Sequence, residues 1–166
     1  MKYANFFVSL QQIQVKTKYS HHSMPHLIAN AVLIPEMARF IREGREVTFT
    51  PGGVSMRPFI EGGRDSVRLV QPASLRVGDI VLAEVDTQHY VLHRLIRIDG
   101  DALTLMGDGN LRGEEHCLRA DIIAKVAEIR SPKGHRKMIT RGRLWHALLP
   151  IRWFLLKIYR HTPRII

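Results

Sequence analysis

Cysteine is almost absent from the sequence, and its single occurrence, Cys117, excludes a disulfide bond within the chain. Long apolar runs are missing as well, since no segment reaches the ~18 consecutive apolar residues that a membrane-spanning helix requires. The short apolar run of residues 4–10 is interrupted too early to act as a standard secretory signal. We therefore expect a cytoplasmic or peripheral membrane protein without an integral anchor.

Acidic residues are absent from the last part of the chain. Residues 130–166 contain ten of the 25 Lys+Arg residues and no acid, whereas residues 1–129 hold 15 residues of each charge. The whole net charge of +10 therefore belongs to the C-terminal part. Such a basic block favours a polyanionic partner, which is an anionic membrane surface, a nucleic acid or an acidic protein.

The chain of 166 residues is long enough for one domain whose core needs no disulfide bonds. Residues 1–26 show little pattern and are expected to be poorly ordered, and their histidines lack the spacing of a metal site. Residues 27–130 are expected to form the globular domain, and residues 131–166 a basic, amphipathic tail. No cofactor and no metal is predicted.

Periodicity predicts a mainly β fold that follows one N-terminal helix. The helical pattern covers about Leu27–Glu43. Strands are predicted at 47–50, 67–70, 80–85, 90–98 and 103–106, with a strand or short helix at 121–129. The Asp99-Gly100 pair indicates a hairpin. Because little room remains for βαβ crossovers, we expect a β body and not an α/β fold.

Residues 52–58, Gly-Gly-Val-Ser-Met-Arg-Pro, predict a stiff, exposed corner. Two glycines permit a tight turn, and Pro58 fixes its own backbone and favours an extended Arg57. A small hydroxyl group presented in this way suits a nucleophile, so Ser55 is the candidate. The alternative is an ordinary turn after a strand, because Gly, Ser and Pro are common turn residues.

His93 and Asp108 are the candidate partners of Ser55. With an even number of residues in the hairpin loop, both side chains lie on one face of the sheet, within reach of each other. The three residues then form a Ser-His-Asp arrangement, in which His93 accepts the serine proton and Asp108 orients the imidazole. Taken singly, His93 also suits a half-buried strand position and Asp108 a turn.

Two further residues are weaker candidates. A neutral lysine can replace histidine as the base, but no lysine lies between Lys18 and Lys125, so only Lys125 is available. Cys117, beside His116, is another candidate nucleophile, although a lone small thiol more often packs in a core.

Four motifs follow one another with fitting spacing. They are Gly-x-Ser-Met-x-Pro at 53–58, Gly-Asp-Ile-Val at 78–81, His-Arg at 93–94 and Gly-Asp-Gly-Asn at 107–110. Together they resemble the signal-peptidase and SOS-repressor superfamily of serine peptidases over roughly residues 45–130. The histidine-using branch, typical of archaeal and endoplasmic-reticulum signal peptidases, is the closer match, because His93 stands where bacterial leader peptidases have lysine.

This resemblance implies a coiled, mostly antiparallel β body with Ser55 as the nucleophile and His93 as the base. It also implies a second acid, whose position is occupied by Glu114. Gly53 stands where many relatives have a hydroxyl residue, which leaves the oxyanion to backbone N–H groups, chiefly that of Ser55. We expect Gly53, Ser55 and Met56 to contact the substrate. Hairpin geometry favours Asp108 as the orienting acid, while the family position also permits Glu114.

The sequence therefore predicts a serine endopeptidase that cleaves a peptide or protein substrate by a Ser-His-acid mechanism. An inactive module that binds an extended peptide by strand addition is one alternative. A self-cleaving regulator of the repressor kind is another, but the residues before the β body show no convincing helix-turn-helix.

The tail predicts an amphipathic helix over residues 144–159, with tryptophan rings of the kind that settle at membrane headgroups. Its apolar face comprises Leu144, Leu148, Ile151, Leu155, Ile158 and Tyr159. We expect residues 141–166 to bind an anionic membrane surface, and the alternative is a helix that packs on its own domain. Nucleic acid is not expected, because phosphate contacts do not require so much leucine and tryptophan.

Overall fold

The computed structural model describes residues 30–137, 139, 142, 145 and 148–161. The segment 1–26, which was expected to be poorly ordered, lies outside the described residues. The elements are α1 (Asn30–Arg42), β1 (Val47–Phe49), β2 (Ser66–Val70), β3 (Ile80–Asp86), β4 (His89–Asp99), β5 (Ala102–Met106), β6 (Glu115–Leu118), a 3-10 turn (Arg119–Asp121), β7 (Ile122–Arg130), β8 (Arg136–Lys137) and α2 (Leu149–His161).

The eight strands form one antiparallel sheet. Its order is β1-β2-β7-β3-β4-β5-β6, and β8 pairs with β7 outside this path. The sheet curls into a half-barrel, in which β6 approaches β3 although the two strands are not hydrogen-bonded neighbours. The predicted mainly β body with an N-terminal and a C-terminal helix is confirmed.

Two apolar clusters cover the two faces of the sheet. One lies beneath α1, which contributes Leu33, Met37 and Ile41 at intervals of four residues. The other cluster lies on the opposite face of the sheet. Successive side chains of a strand point to opposite faces, and Ile80 belongs to the first cluster while its neighbour Val81 belongs to the second. Strand β3 is therefore buried on both faces, which explains its continuous apolar start.

Three parts of the sheet differ from the pattern-based expectation, and one of them is the short strand β8, which lies in the segment 131–166 that was expected to be a tail. Residues 121–129 form the strand β7 preceded by a 3-10 turn, which decides between the two alternatives. Strand β6 was not predicted, since Glu-His-Cys-Leu has no apolar alternation. In β6 the exposure of the side chains alternates instead, because Glu115 and Cys117 are less exposed than His116 and Leu118.

Helix α2 packs on its own domain. Arg152 and Leu156 are buried, and the Tyr159 hydroxyl donates a hydrogen bond to Glu61 Oε2 at 3.0 Å. Of the predicted apolar face, Ile151 and Ile158 are exposed, whereas Tyr159 contacts the domain through Glu61. No helix in the described part of the chain is long and apolar enough to cross a bilayer.

Candidate active site

The Ser55 corner is a compact turn. Gly53 has a φ of +77°, a conformation that L side chains rarely adopt, so a side chain there would strain the turn. Met56 is buried in the core and anchors the corner, and Ser55 itself is half-buried. The amide of Arg57 donates to the Val54 carbonyl at 3.2 Å, which closes the turn around the serine.

The Gly107–Asn110 loop is held directly against this corner. The Gly109 amide donates to the Ser55 carbonyl at 2.7 Å. A Cβ on Gly107 would lie 2.6 Å from the Ser55 carbonyl oxygen, and one on Gly109 would lie 2.8 Å from that of Val54. Both glycines are therefore required by close backbone approach, and they fix the height of Ser55 above the sheet.

His93 is buried on β4 and its ring contacts a carboxylate. His93 Nδ1 lies 2.9 Å from Glu115 Oε2. Glu115 reaches the ring from β6, because Glu115 pairs with Leu105 and Leu105 pairs with Leu95, two residues along from His93 on the same face. With Nδ1 engaged by Glu115, the other ring nitrogen, Nε2, is left for proton transfer.

Continuing the register of β5 by one residue, to Gly107, places Ser55 over the face of the sheet that carries His93. Arg94 pairs with Met106, so the next residue, Gly107, comes opposite His93. Opposite residues project from the same face with Cβ atoms ~4.5–5.5 Å apart. The Cβ direction of Gly107 ends at the Ser55 carbonyl, so Ser55 lies over the face that carries the His93 ring. Within the described residues, no hydrogen bond joins the Ser55 hydroxyl to the ring.

Asp108 does not orient His93, and this prediction is wrong. Its carboxylate makes a two-point ion pair with Arg94, in which Nε lies 2.8 Å from Oδ1 and Nη2 lies 2.7 Å from Oδ2. Both side chains are fully buried. Arg94 also donates to the Gly78 carbonyl at 2.7 Å, so the pair ties the start of β3 to the loop beneath Ser55.

A β-bulge explains the change of partner. At the hairpin tip Asp99 pairs with Ala102, a register that would bring His93 opposite Asp108. Between Leu95 and Arg97, however, β4 contains one extra residue. A shift of one residue moves a side chain to the other face of the sheet, so Asp108 meets Arg94 and not His93.

Glu114, the alternative acid, is exposed and its neighbour Glu115 makes the contact with His93. Sequence reasoning missed Glu115 because β6 was not predicted as a strand. Once β6 is known, the alternation of Glu115 with the exposed His116 selects the inward-facing acid.

The C-terminal part of the chain supports the Gly107–Asp108 backbone from behind. Arg152 Nη2 donates to the carbonyls of Gly107, at 2.9 Å, and of Asp108, and Trp145 Nε1 donates to the Asp108 carbonyl at 2.8 Å. Burial lowers the pKa of the Arg152 guanidinium. The nearby charge of Arg94 also lowers this pKa, whereas the carboxylate of Asp108 raises it. Arg152 Nε and Nη1 have no hydrogen-bond partner among the described residues.

The weaker candidates have other surroundings. Lys125 Nζ lies 3.3 Å from both the Asp79 carboxylate and the Ser74 carbonyl. Burial, reinforced by Asp121, raises the pKa of the Cys117 thiol, which keeps it protonated and unsuited to nucleophilic attack. Cys117 borders an open cavity of about 680 Å³ that is lined by neither Ser55 nor His93.

Among the described residues, no group of three or more His, Cys, Asp or Glu side chains could hold a metal ion.

Comparisons of the chain with models of known protein families and with curated proteins return no match. The chemistry of the site must therefore be argued from its own residues.

Proposed function

We propose that this protein is a serine endopeptidase in which Ser55 is the nucleophile, His93 the general base and Glu115 the acid that orients His93. The observation that carries the proposal is the 2.9 Å contact between His93 Nδ1 and Glu115, on the face of the sheet over which Ser55 is held. A carboxylate at Nδ1 fixes the tautomer in which Nε2 accepts a proton. The resemblance of the four ordered motifs to the signal-peptidase and SOS-repressor superfamily supports the roles of Ser55 and His93, while the role of Glu115 rests on its contact with the ring.

The reaction follows from these positions. Ser55 Oγ attacks the carbonyl carbon of the scissile bond while His93 Nε2 takes its proton, and Glu115 stabilises the imidazolium that forms. The imidazolium then protonates the leaving amine, and an acyl-enzyme on Ser55 remains. Water, deprotonated by His93, attacks the acyl carbon and releases the second product, which regenerates the serine.

Backbone amides at the corner suit the oxyanion. The N–H groups of Ser55 and Met56 donate no hydrogen bond to any residue that the structure describes. Donors left open beside a nucleophile can bind the negative oxygen of a tetrahedral intermediate, and each such donor is typically worth about 10²–10³ in turnover. Gly53, which leaves this side of the corner without a side chain, keeps the approach to these amides open.

A second candidate function is an inactive module that binds an extended peptide. Two observations favour it: among the described residues the Ser55 hydroxyl has no hydrogen bond with His93, and β6 is the last strand in the sheet order. The outer edge of such a strand can pair with an added peptide strand. This module would bind the same peptides without forming an acyl-enzyme.

Covalent labelling distinguishes the two functions. We expect a fluorophosphonate probe, which phosphonylates an activated serine with loss of fluoride, to label the protein at Ser55, with labelling abolished in Ser55→Ala. Ser74→Ala, a change at an exposed serine away from the corner, should be labelled like the wild type. If the folded wild-type protein binds peptides but is not labelled, the peptidase proposal is wrong and the inactive peptide-binding module is favoured.

The orienting acid can be tested by comparing two neighbours. Glu115→Gln should lower kcat for a cleavable peptide by about 10²–10⁴, because the amide cannot stabilise the imidazolium as a carboxylate does. Glu114→Gln is the matched control and should have little effect, since Glu114 is exposed. If the two variants turn over equally fast, Glu115 is not the orienting acid.

A further inference from the structure

The outward-facing side of α2 carries an apolar surface. Ile151, Trp153, Phe154 and Ile158 are between 50% and 57% exposed, and we call these four residues the outer face. Single exposed apolar residues are ordinary on soluble domains. Ile151, Phe154 and Ile158 are spaced i, i+3 and i+7 and so share one side of α2, with Trp153 further round beside Lys157, and exposed apolar residues grouped in this way mark an interaction surface.

The contacts of the inner side fix this orientation. Arg152 is held by the backbone of Gly107 and Asp108, Leu156 is buried, and Tyr159 donates to Glu61. Because these contacts set the rotation of α2 about its axis, the outer face cannot turn inward against the domain without breaking them. The outer face is thus presented to whatever surrounds the protein.

The charge around the outer face has one sign. Lys157 is exposed, with its ammonium 5.1 Å from the centre of the Trp153 ring, and α2 contains no acidic residue. Of the basic residues before α2, Arg130 and Arg136 pair with Glu128, and Lys137 contacts Asp65. These acids lie before residue 130, and residues 130–166 contain no acidic residue.

We propose that the outer face of α2 docks this protein on an anionic membrane surface, with the helix lying in the plane of the interface. An apolar stripe beside a lysine, with a tryptophan at its edge, is typical of interfacial helices. The 13 residues of α2 span about 20 Å, which suits a helix that lies on a bilayer of ~30 Å hydrocarbon and does not cross it. A second copy of the chain is disfavoured because both helices would bring the same positive charge.

Docking through α2 also positions the candidate active site. The inner side of the same helix holds the carbonyls of Gly107 and Asp108, and this loop supports Ser55. The site would then lie roughly one helix diameter, about 10 Å, from the lipid surface. Docking itself does not depend on the proposed peptidase activity.

Vesicle sedimentation of the full-length protein tests the proposal. At low salt, wild type should sediment with vesicles of phosphatidylcholine and phosphatidylserine, and much less with phosphatidylcholine alone. Phe154→Ser with Ile158→Ser should weaken binding on the order of 100-fold, because two exposed apolar side chains are lost. Lys157→Glu should weaken vesicle binding at least about fivefold. Added salt should reduce the difference in binding between this variant and the wild type, because it screens the charges.

Val32→Ser is the matched control, since Val32 is an equally exposed apolar residue on the other helix. It should bind vesicles like the wild type, and thermal melts should show all variants folded. Wild-type protein that ignores the anionic vesicles at low salt overturns the proposal, as does a double variant that binds normally. A dimer in analytical ultracentrifugation that the double variant abolishes would assign the outer face to a second copy instead.

Discussion

Alanine in place of Ser55, in place of His93, or in place of both should reduce peptide turnover by nearly the same factor, as much as about 10⁶. The two residues act as one unit, because an unactivated hydroxyl attacks slowly and a base without its nucleophile has no proton to take. The measurement is kcat for a cleavable peptide in the two single variants and the double variant. The residual rate should reflect the amides of the corner alone.

Additive losses are the contrary result. If the double variant were slower than the wild type by the product of the two single-variant factors, Ser55 and His93 would act separately. Wild-type turnover in Ser55→Ala would exclude this mechanism altogether. Circular dichroism of each variant separates lost chemistry from lost folding, which matters because His93 is buried.

Asp108→Asn should lower the free energy of unfolding by about 3–5 kcal/mol, since it leaves Arg94 buried without a full counter-charge. Arg152, which is also buried and contacts the loop of Asp108 from α2, adds a second positive charge to the same region. Urea denaturation at neutral pH measures the loss. Removing both partners, with Arg94→Met and Asp108→Leu, should restore part of the stability, because no unpaired charge of that pair then remains.

The exposed ion pair of Arg119 and Asp101 is the matched control. Asp101→Asn removes the same kind of charge at the surface and should cost less than about 1 kcal/mol, as exposed pairs usually do. A loss in Asp108→Asn as small as that in Asp101→Asn would mean that the Arg94 pair is not a determinant of the fold.

The strands of the sheet were predictable because alternation and β-branched residues mark them directly. Strand β3 was found by its apolar run, and the helix α1 by its period of about four. Strand β6 was not predicted because its sequence, Glu-His-Cys-Leu, has no apolar alternation. Its inward-facing residue is Glu115, which is held there by its contact with the His93 ring. When the position of a side chain depends on a partner far away in the sequence, the residues around it carry no pattern that predicts that position.

The site was predicted in part, since the structure brings Ser55 and His93 to one face of the sheet. The acid was wrong because one extra residue in β4 decides which face meets Asp108, and no local signal in residues 95–97 marks that bulge. The role of Arg152 was also hidden. On a helical wheel a basic residue belongs to the solvent side, and here its hydrogen bonds to the carbonyls of Gly107 and Asp108 reverse that preference.

The contacts of Arg152 also bear on the order in which the protein is made. The corner at Ser55, the histidine at 93 and the loop at 107 leave the ribosome well before the helix that supports that loop. Synthesis proceeds at about 5–20 residues per second, so the first three segments exist for several seconds without their support. The nascent chain therefore passes through a stage in which the hydroxyl and the imidazole are present but the loop beneath them lacks its last hydrogen bonds. The last support of the candidate site therefore forms only once α2 has emerged.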